Sequence, residues 1–156
     1  MKNILILISV VASFAIVGCS SLQLQPADFS WAAEEIVDVG TKGMVDAKRY
    51  SIAFNVSELL KKEFATDSMA AKETKEVRLI RDKAGFYYLT GKKFKNVYVL
   101  AQSDGALAVS NTLTISAEKM MEDPKFDQKD SFIELWNGKD KYQLTKGGAQ
   151  PLGGKK

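Results

Sequence analysis

The sequence contains no histidine and only one cysteine, Cys19, in 156 residues. Histidine is the commonest proton carrier near neutral pH and a frequent zinc ligand. Its absence therefore excludes Ser-His and Cys-His nucleophiles and the usual zinc sites. A lone cysteine also excludes an internal disulfide. The chemistry left for an enzyme is that of carboxylates, lysines, tyrosines or a Ser-Lys pair, and no catalytic or metal-binding residue is assigned.

A strong charge imbalance is also missing. Twenty-two Lys and Arg residues face 19 Asp and Glu residues, which gives a formal net charge of +3. This balance is too mild to indicate a nucleic-acid partner. No glycine-rich loop follows a strand pattern and opens a helix, so nucleotide binding has no support and no cofactor is assigned.

The most specific pattern of the sequence lies at its N-terminus. Residues 1–3 include a lysine and precede an apolar run over residues 4–17, which matches the charged and apolar regions of an export signal. The run is shorter than the about 20 residues that a membrane-spanning helix needs. It ends at Gly18 and Cys19, where a small residue precedes the cysteine.

The stretch Ile16-Val17-Gly18-Cys19 resembles the lipobox of bacterial lipoproteins. In that family the cysteine sulfur takes a diacylglycerol, the signal is cut before the cysteine, and the new amino group is commonly acylated. Two or more acyl chains hold a protein firmly at a membrane. The resemblance covers residues 1–21 only. It implies that Cys19 is the lipid attachment residue and that membrane lipid is a partner.

The residue after the lipidated cysteine influences sorting in this family. An aspartate there tends to retain the protein in the inner membrane, whereas this chain has Ser20. The resemblance therefore implies the periplasmic face of the outer membrane in an organism that has one.

The chain divides into four parts by composition. Residues 1–18 are predicted to be the signal peptide, and residues 19–27 the lipidated cysteine with a short tether. Residues 28–146 are predicted to form one β-rich globular domain, since the length left after cleavage suits a single domain. Residues 147–156 contain four glycines and are predicted to be a flexible tail.

The globular part is predicted to be mainly β, with an antiparallel, hairpin-rich sheet that forms a sandwich or a small barrel. Large apolar residues alternate with smaller ones over residues 50–56, which is typical of a half-buried strand. Turns containing Gly or Asn separate several later apolar runs and favour hairpins. These runs predict further strands at residues 77–80, 86–89, 97–101, 106–110 with 113–115, 132–136 and 142–144.

Helix signals are weaker, and we expect one or two short helices. Ser57 is a candidate N-cap for a helix over residues 58–64, and Ser116 for a short turn before Pro124. Residues 65–74 fit a loop, a frayed helix or both.

Three groups of side chains are candidates for chemistry, and each has a more ordinary interpretation. Acidic residues cluster early and late in the domain, at Glu34, Glu35, Asp38, Glu118, Glu122, Asp123, Asp127 and Asp130. Solvated acidic loops are favoured over a cation site, because calcium loops need oxygen ligands spaced around a sharp glycine turn. The basic run over residues 91–95 is favoured as a hairpin loop over a contact for anionic headgroups or glycans.

Aromatic residues form the third group: Phe86, Tyr87, Tyr88, Tyr98, Trp136 and Tyr142. Core packing is favoured over a stacking platform for sugars. Since consecutive strand residues point to opposite faces, we expect one of Tyr87 and Tyr88 to be exposed.

These observations favour a non-catalytic binding or structural domain held at the envelope, with an envelope protein or glycan as a possible partner. Two alternatives stay open. One is a tethered enzyme that uses carboxylates on envelope glycans, for which a carboxylate pair in a cleft would be the sign. The other is a carrier of lipid or another hydrophobic ligand, for which an apolar cavity would be the sign.

Overall fold

The computed structural model describes residues 32–103 and 106–153. The predicted signal peptide, the lipid attachment residue Cys19 and the tether lie outside these residues. Within the two described ranges, no helix has the length and apolarity needed to cross a membrane.

The described chain is mainly β, as predicted, and every strand pairing in it is antiparallel. The strands form a five-stranded sheet, a four-stranded sheet and a separate hairpin, and neither sheet closes on itself over the described strands. In chain order the strands are β1 (Glu35–Asp38), β2 (Met44–Ala47), β3 (Ile52–Asn55), β4 (Glu76–Arg81), β5 (Tyr87–Thr90), β6 (Asn96–Ser103), β7 (Ala106–Thr114), β8 (Pro124–Gln128), β9 (Ile133–Asn137), β10 (Asp140–Thr145) and β11 (Gly148–Leu152). The separate hairpin is β2-β3.

The five-stranded sheet has the order β1-β4-β5-β6-β7. Its register places Leu79, Leu89 and Tyr98 side by side on one face, because directly opposed residues point the same way. Phe64 and Phe94 meet edge to face beside them, with ring centroids 5.4 Å apart. Phe94 in turn contacts Tyr98. Phe64, the residue that follows the helix Ser57–Glu63, therefore covers part of this face.

The opposite face of the same sheet carries Ile80, Tyr88 and Val99. It packs against the four-stranded sheet, whose order is β11-β10-β9-β8 and whose Ile133 and Leu135 are fully buried. Contacts join β4 to β8 and β7 to β11. The central sheet is thus enclosed on both faces, while the second sheet leaves one face to solvent.

This enclosure corrects the expectation for the tyrosine pair. Tyr87 and Tyr88 are only 2% and 1% exposed, so neither ring reaches solvent. Tyr87 packs edge to face on Tyr50, and the Tyr88 hydroxyl donates a hydrogen bond to Asp82. Alternation sends the two rings to opposite faces, and both faces are covered.

The described residues form two α-helices, α1 (Ser57–Glu63) and α2 (Ser68–Glu73), which confirms the expectation of one or two short helices. Two 3-10 turns, Thr41–Gly43 and Lys48–Tyr50, flank β2. The first of these turns lies between β1 and β2 in the sequence, and both helices lie between β3 and β4.

The segment left open between loop and helix contains α2. Its N-cap Asp67 accepts hydrogen bonds from the backbone N–H groups of Met69 and Ala70, which explains how so short a helix starts where it does. The other candidate cap, Ser116, accepts a hydrogen bond from the backbone N–H three residues later. Residues 117–123 form no helix and lead irregularly into β8.

The structure departs from the prediction of a flexible tail at residues 148–152. These residues form β11 and pair with β10, with Ala149 opposite Leu144 and Gln150 opposite Gln143. Two of the glycines that suggested flexibility lie at the turn and at the start of the strand. These residues form a strand because β10 is available to pair with them, and amino-acid composition does not show which segments will pair.

Candidate functional site

A groove of about 650 Å³ lies between the turn after β1 and the two helices. Leu60 and Phe64 in its lining belong to the buried core, so the floor of the groove is continuous with that core. The volume falls within the range of small-molecule sites, about 300–1,000 Å³. The apolar lining comes from three segments of the chain and comprises Val39, Leu60, Phe64, Ala65 and Ala71.

All charged residues that line this groove are lysines: Lys42, Lys61, Lys72 and Lys75. They come from the turn after β1, from α1, from α2 and from the residues that follow α2. Among the described residues that line the groove, none is acidic. We call this site the lysine-rimmed groove.

Few of the rim lysines have a carboxylate partner. Lys61 pairs with Glu58 at 2.6 Å, but both side chains are at least 70% exposed, so the pair contributes little. For Lys42, Lys72 and Lys75, the described part of the chain supplies no carboxylate within 4.0 Å. The rim is therefore a net positive surface beside an apolar floor.

Hydrogen bonds fix the turn that carries Lys42. The Lys42 carbonyl accepts hydrogen bonds from Asn55 Nδ2 and Ser57 Oγ, both at 2.8 Å. Lys42 has φ of 60° and Gly43 has φ of 75°, the left-handed region that favours glycine. A Cβ on Gly43 would overlap with Ser57 Oγ, so only glycine allows this close approach.

The same contacts correct the predicted role of Ser57. Its hydroxyl donates to the Lys42 carbonyl and makes no cap hydrogen bond, and Val56 occupies the N-cap position of α1. Ser57 thus ties α1 to the turn after β1 across the groove.

A half-buried carboxylate holds α1 against the central sheet. Glu63 accepts hydrogen bonds from the Tyr98 hydroxyl at 2.6 Å, from Asn96 Nδ2 at 2.8 Å and from the Lys95 backbone N–H. Burial and the bond to Glu63 raise the pKa of Tyr98. Hydrogen bonds within the protein thus fix α1 through Glu63 and the opposite wall through the turn.

Two acidic residues named from sequence hold the strands together. Glu34 bonds to Arg78 at 2.8 Å and also accepts from the backbone N–H of Phe126. Asp123 lies 3.3 Å from Arg78 of β4 and 2.8 Å from Lys125, and the hydrogen bond from Lys125 lowers the pKa of Asp123. Both carboxylates are therefore already paired with Arg or Lys side chains or with backbone N–H groups of the protein.

Three further acidic residues are also engaged. Asp127 pairs with Lys129, and Asp130 pairs with Lys83 at 2.9 Å. Glu35 accepts from a backbone N–H of the second 3-10 turn.

The last three acidic residues are exposed and do not converge on a site: Asp38, Glu118 and Glu122. Over residues 32–103 and 106–153, no three carboxylates, cysteines or histidines lie where they could hold one metal ion. The acidic clusters of the sequence thus act as surface charge and as ion-pair partners.

The basic run over residues 91–95 joins β5 to β6, in agreement with the hairpin interpretation. Phe94 within it is fully buried against Tyr98, while Lys92 and Lys93 are exposed. Lys93 lies 3.9 Å from Glu73, so part of its charge is balanced.

The aromatic group is mostly core, as favoured above. Trp136 is the exception, since it is 38% exposed on the outer face of the second sheet. The ammonium of Lys141 lies 3.5 Å from the Trp136 ring centroid, a cation–π contact that covers one face of the indole. The buried or half-buried members are Phe86, Tyr87, Tyr88, Tyr98 and Tyr142.

Sequence reasoning missed the lysine-rimmed groove. Its lysines are up to 33 positions apart in the sequence. They come together because β1 pairs with β4, and α1 and α2 belong to the segment that connects β3 to β4. One usable signal is the composition of residues 57–75, which contain lysines at 61, 62, 72 and 75 beside Leu60 and Phe64.

Comparison with known proteins does not extend this description. Neither a protein-family model, nor a curated protein, nor a solved structure matches the chain.

Proposed function

We propose that the chain is a lipoprotein of the bacterial cell envelope, anchored through Cys19, whose domain is a non-catalytic binding module. The lysine-rimmed groove is its binding site, and the apolar part of the ligand lies on Leu60 and Phe64. The observation that carries the proposal is an apolar, preformed groove whose floor is continuous with the core.

The lining of the groove does not supply the carboxylates that the alternative glycan enzyme would need. The described residues that line it include no Asp, Glu or Tyr, and Ser57 donates its hydroxyl to the Lys42 carbonyl. A general acid or base needs to lie within hydrogen-bond reach of the reacting group. Apolar contact with a bound chain, in contrast, is worth roughly 0.8 kcal/mol for each buried methylene.

The start of the described chain and the groove lie towards opposite ends of β1. The described residues begin at Ala32, and the Tyr50 hydroxyl donates to the Ala33 carbonyl near the start of β1. Val39, at the other end of β1, lines the groove. Residues 20–31 extend to at most about 40 Å, at roughly 3.3–3.6 Å per residue. A tether of this length is enough to join a lipid anchor at Cys19 to the domain.

The anchoring claim is tested by Cys19→Ala in cells that are fed a labelled fatty acid. We expect label on the wild-type protein and none on the variant, which should also keep its signal. A matched Ser20→Ala variant should be labelled like the wild type. Equal labelling of the wild type and Cys19→Ala would refute lipid attachment at this residue.

The binding claim is tested with a neutral dye whose fluorescence rises in apolar surroundings. We expect the mature protein to bind the dye and Ala65→Trp to weaken binding by about tenfold or more, because the indole fills the groove beside Phe64. Ala84→Trp places the same side chain in the exposed turn between β4 and β5 and should bind normally. Binding that survives Ala65→Trp unchanged would place the ligand elsewhere.

A further inference from the structure

We infer that the ligand of the lysine-rimmed groove is an anionic amphiphile, with its apolar chain in the groove and its negatively charged headgroup at the lysine rim. This inference rests on the proposed function, since it assumes that the groove is a binding site, and it adds the chemical class of the ligand.

The first argument is charge. Four of the residues that line the groove are lysines, and none of the described lining residues is acidic. The whole chain, in contrast, has nearly balanced charge, with 22 basic and 19 acidic residues. A single-sign rim around a concave apolar surface focuses a positive potential on the mouth of the groove.

The second argument is the way in which other lysines of the domain are placed. On the outer face of the second sheet, the ammonium groups of Lys129 and Lys141 lie 3.5 and 3.4 Å from the carboxylate of Glu134. These two ammonium groups are already paired, whereas the rim lysines other than Lys61 have no carboxylate partner among the described residues. An anionic headgroup at the mouth would therefore meet ammonium groups that no carboxylate of the described chain occupies.

The third argument is geometry. The lysines rise from three separate segments, so a headgroup at the mouth would meet ammonium groups from different sides. Lys42 is held there in left-handed backbone, with φ of 60°, by hydrogen bonds to its carbonyl. The hydrogen bonds and this backbone conformation fix where the Lys42 side chain leaves the turn at the mouth of the groove.

The experiment uses the full lipidated chain in vesicles of phosphatidylcholine, which has no net charge. Three photoreactive probes share one twelve-carbon chain and differ in their headgroup: a carboxylate, an alcohol and a trimethylammonium. Labelling of residues 57–75 is measured by mass spectrometry for the wild type and for a variant with all four rim lysines replaced by Gln. The wild-type-to-variant ratio for each probe cancels differences in membrane partitioning.

We expect this ratio to be about tenfold for the carboxylate, near one for the alcohol and below one for the trimethylammonium, because several exposed charge contacts add up. Lys62→Gln, which removes a lysine from α1 that does not line the groove, should leave all three labelling levels unchanged. Raising the salt concentration to about 1 M should reduce the carboxylate ratio and leave the alcohol ratio as it was.

The outcomes separate the two proposals. Labelling of the groove with equal ratios for the carboxylate and the alcohol would overturn the anionic class and leave groove binding standing. A preference for the trimethylammonium would overturn it as well. Absence of labelling by every probe in residues 57–75 would remove both the anionic class and the proposed function.

Discussion

The central strands β4, β5 and β6 and the lysine-rimmed groove differ in whether their polar side chains have partners within the protein. In the central sheet, buried hydroxyls find partners within the protein: Tyr88 donates to Asp82, and Tyr98 donates to Glu63. At the groove, Lys72 lies next to apolar lining residues and has no ion pair among the described residues.

The difference separates the part that stabilises the fold from the groove that we propose as the binding site. Enclosure of the central sheet on both faces buries large side chains such as Leu79, Leu89 and Tyr98, and the hydroxyls of Tyr88 and Tyr98 are satisfied internally. Uncovered apolar surface beside like charges adds little to stability. We therefore expect substitutions in the central sheet to alter stability and substitutions at the groove to alter binding.

The largest expected effect is that of Leu89→Ala in β5. Leu89 is fully buried between the flanking strands β4 and β6, so its loss leaves a cavity and should reduce the free energy of unfolding by about 2–5 kcal/mol. Urea denaturation followed by circular dichroism measures this change. Lys72→Gln should alter it by no more than about 0.5 kcal/mol. Equal effects of the two variants would break the comparison.

The second effect is the removal of β11 by ending the chain after Lys146. The strand pairs with β10 over five positions, and its loss exposes the edge beside Leu144. We expect the free energy of unfolding to fall by about 1–3 kcal/mol, since each net hydrogen bond contributes about 0.5–1.5 kcal/mol. A chain that ends after Gly153 keeps β11 and serves as the control. If the shorter chain is as stable as the control, β11 is dispensable, as the composition of the tail suggests.

Periodicity predicts the strands that have a strong local signal. The apolar runs of β4, β5, β6, β9 and β10 are visible in the sequence because these strands lie in or against the core. No such run marks β1, β2, β8 or β11. β8 begins with Pro124 and carries charged residues on its exposed side, so its alternation of Pro124, Phe126 and Gln128 does not resemble an apolar run.

The groove escapes prediction for a different reason. Its walls are set by long-range pairing, such as the antiparallel register of β1 with β4, and no local pattern encodes it. The covering of both faces of the central sheet is equally non-local, which is why alternation alone places one of Tyr87 and Tyr88 at the surface. Charge at the rim is visible in the sequence only as scattered lysines.

A third, smaller effect concerns the buried tyrosines of the central sheet at high pH. Burial, with the neighbouring Asp82 and Glu63, raises the pKa of Tyr88 and Tyr98 above the ordinary value of 10.0. Below pH 10.0 both the folded and the unfolded state keep these protons, so the contribution to stability is complete. Above it the unfolded chain ionises first. Stability should then fall by up to about 1.4 kcal/mol per pH unit for each tyrosine.

This pH effect is measured by urea denaturation at about pH 9 and about pH 11, with the double variant Tyr88→Phe and Tyr98→Phe as the comparison. The variant cannot ionise at these positions, so its stability should fall less steeply. Identical slopes would show that the two hydroxyls are not retained in their protonated form by the folded state.

The smallest expected effect on stability comes from Lys42→Gly at the groove. Glycine adopts the left-handed backbone of this position without steric strain, so the free energy of unfolding should stay unchanged or rise by up to about 1 kcal/mol. Binding of a carboxylate amphiphile should nevertheless weaken by about two- to fivefold, because one charge contact is lost.

Lys93→Gly is a matched control, since Lys93 also has a positive φ, of 68°, and does not line the groove. It should show a similar change in stability with normal binding. A loss of both stability and binding in Lys42→Gly alone would mean that the lysine supports the turn, and that the rim charge at this position has no separate part in recognition.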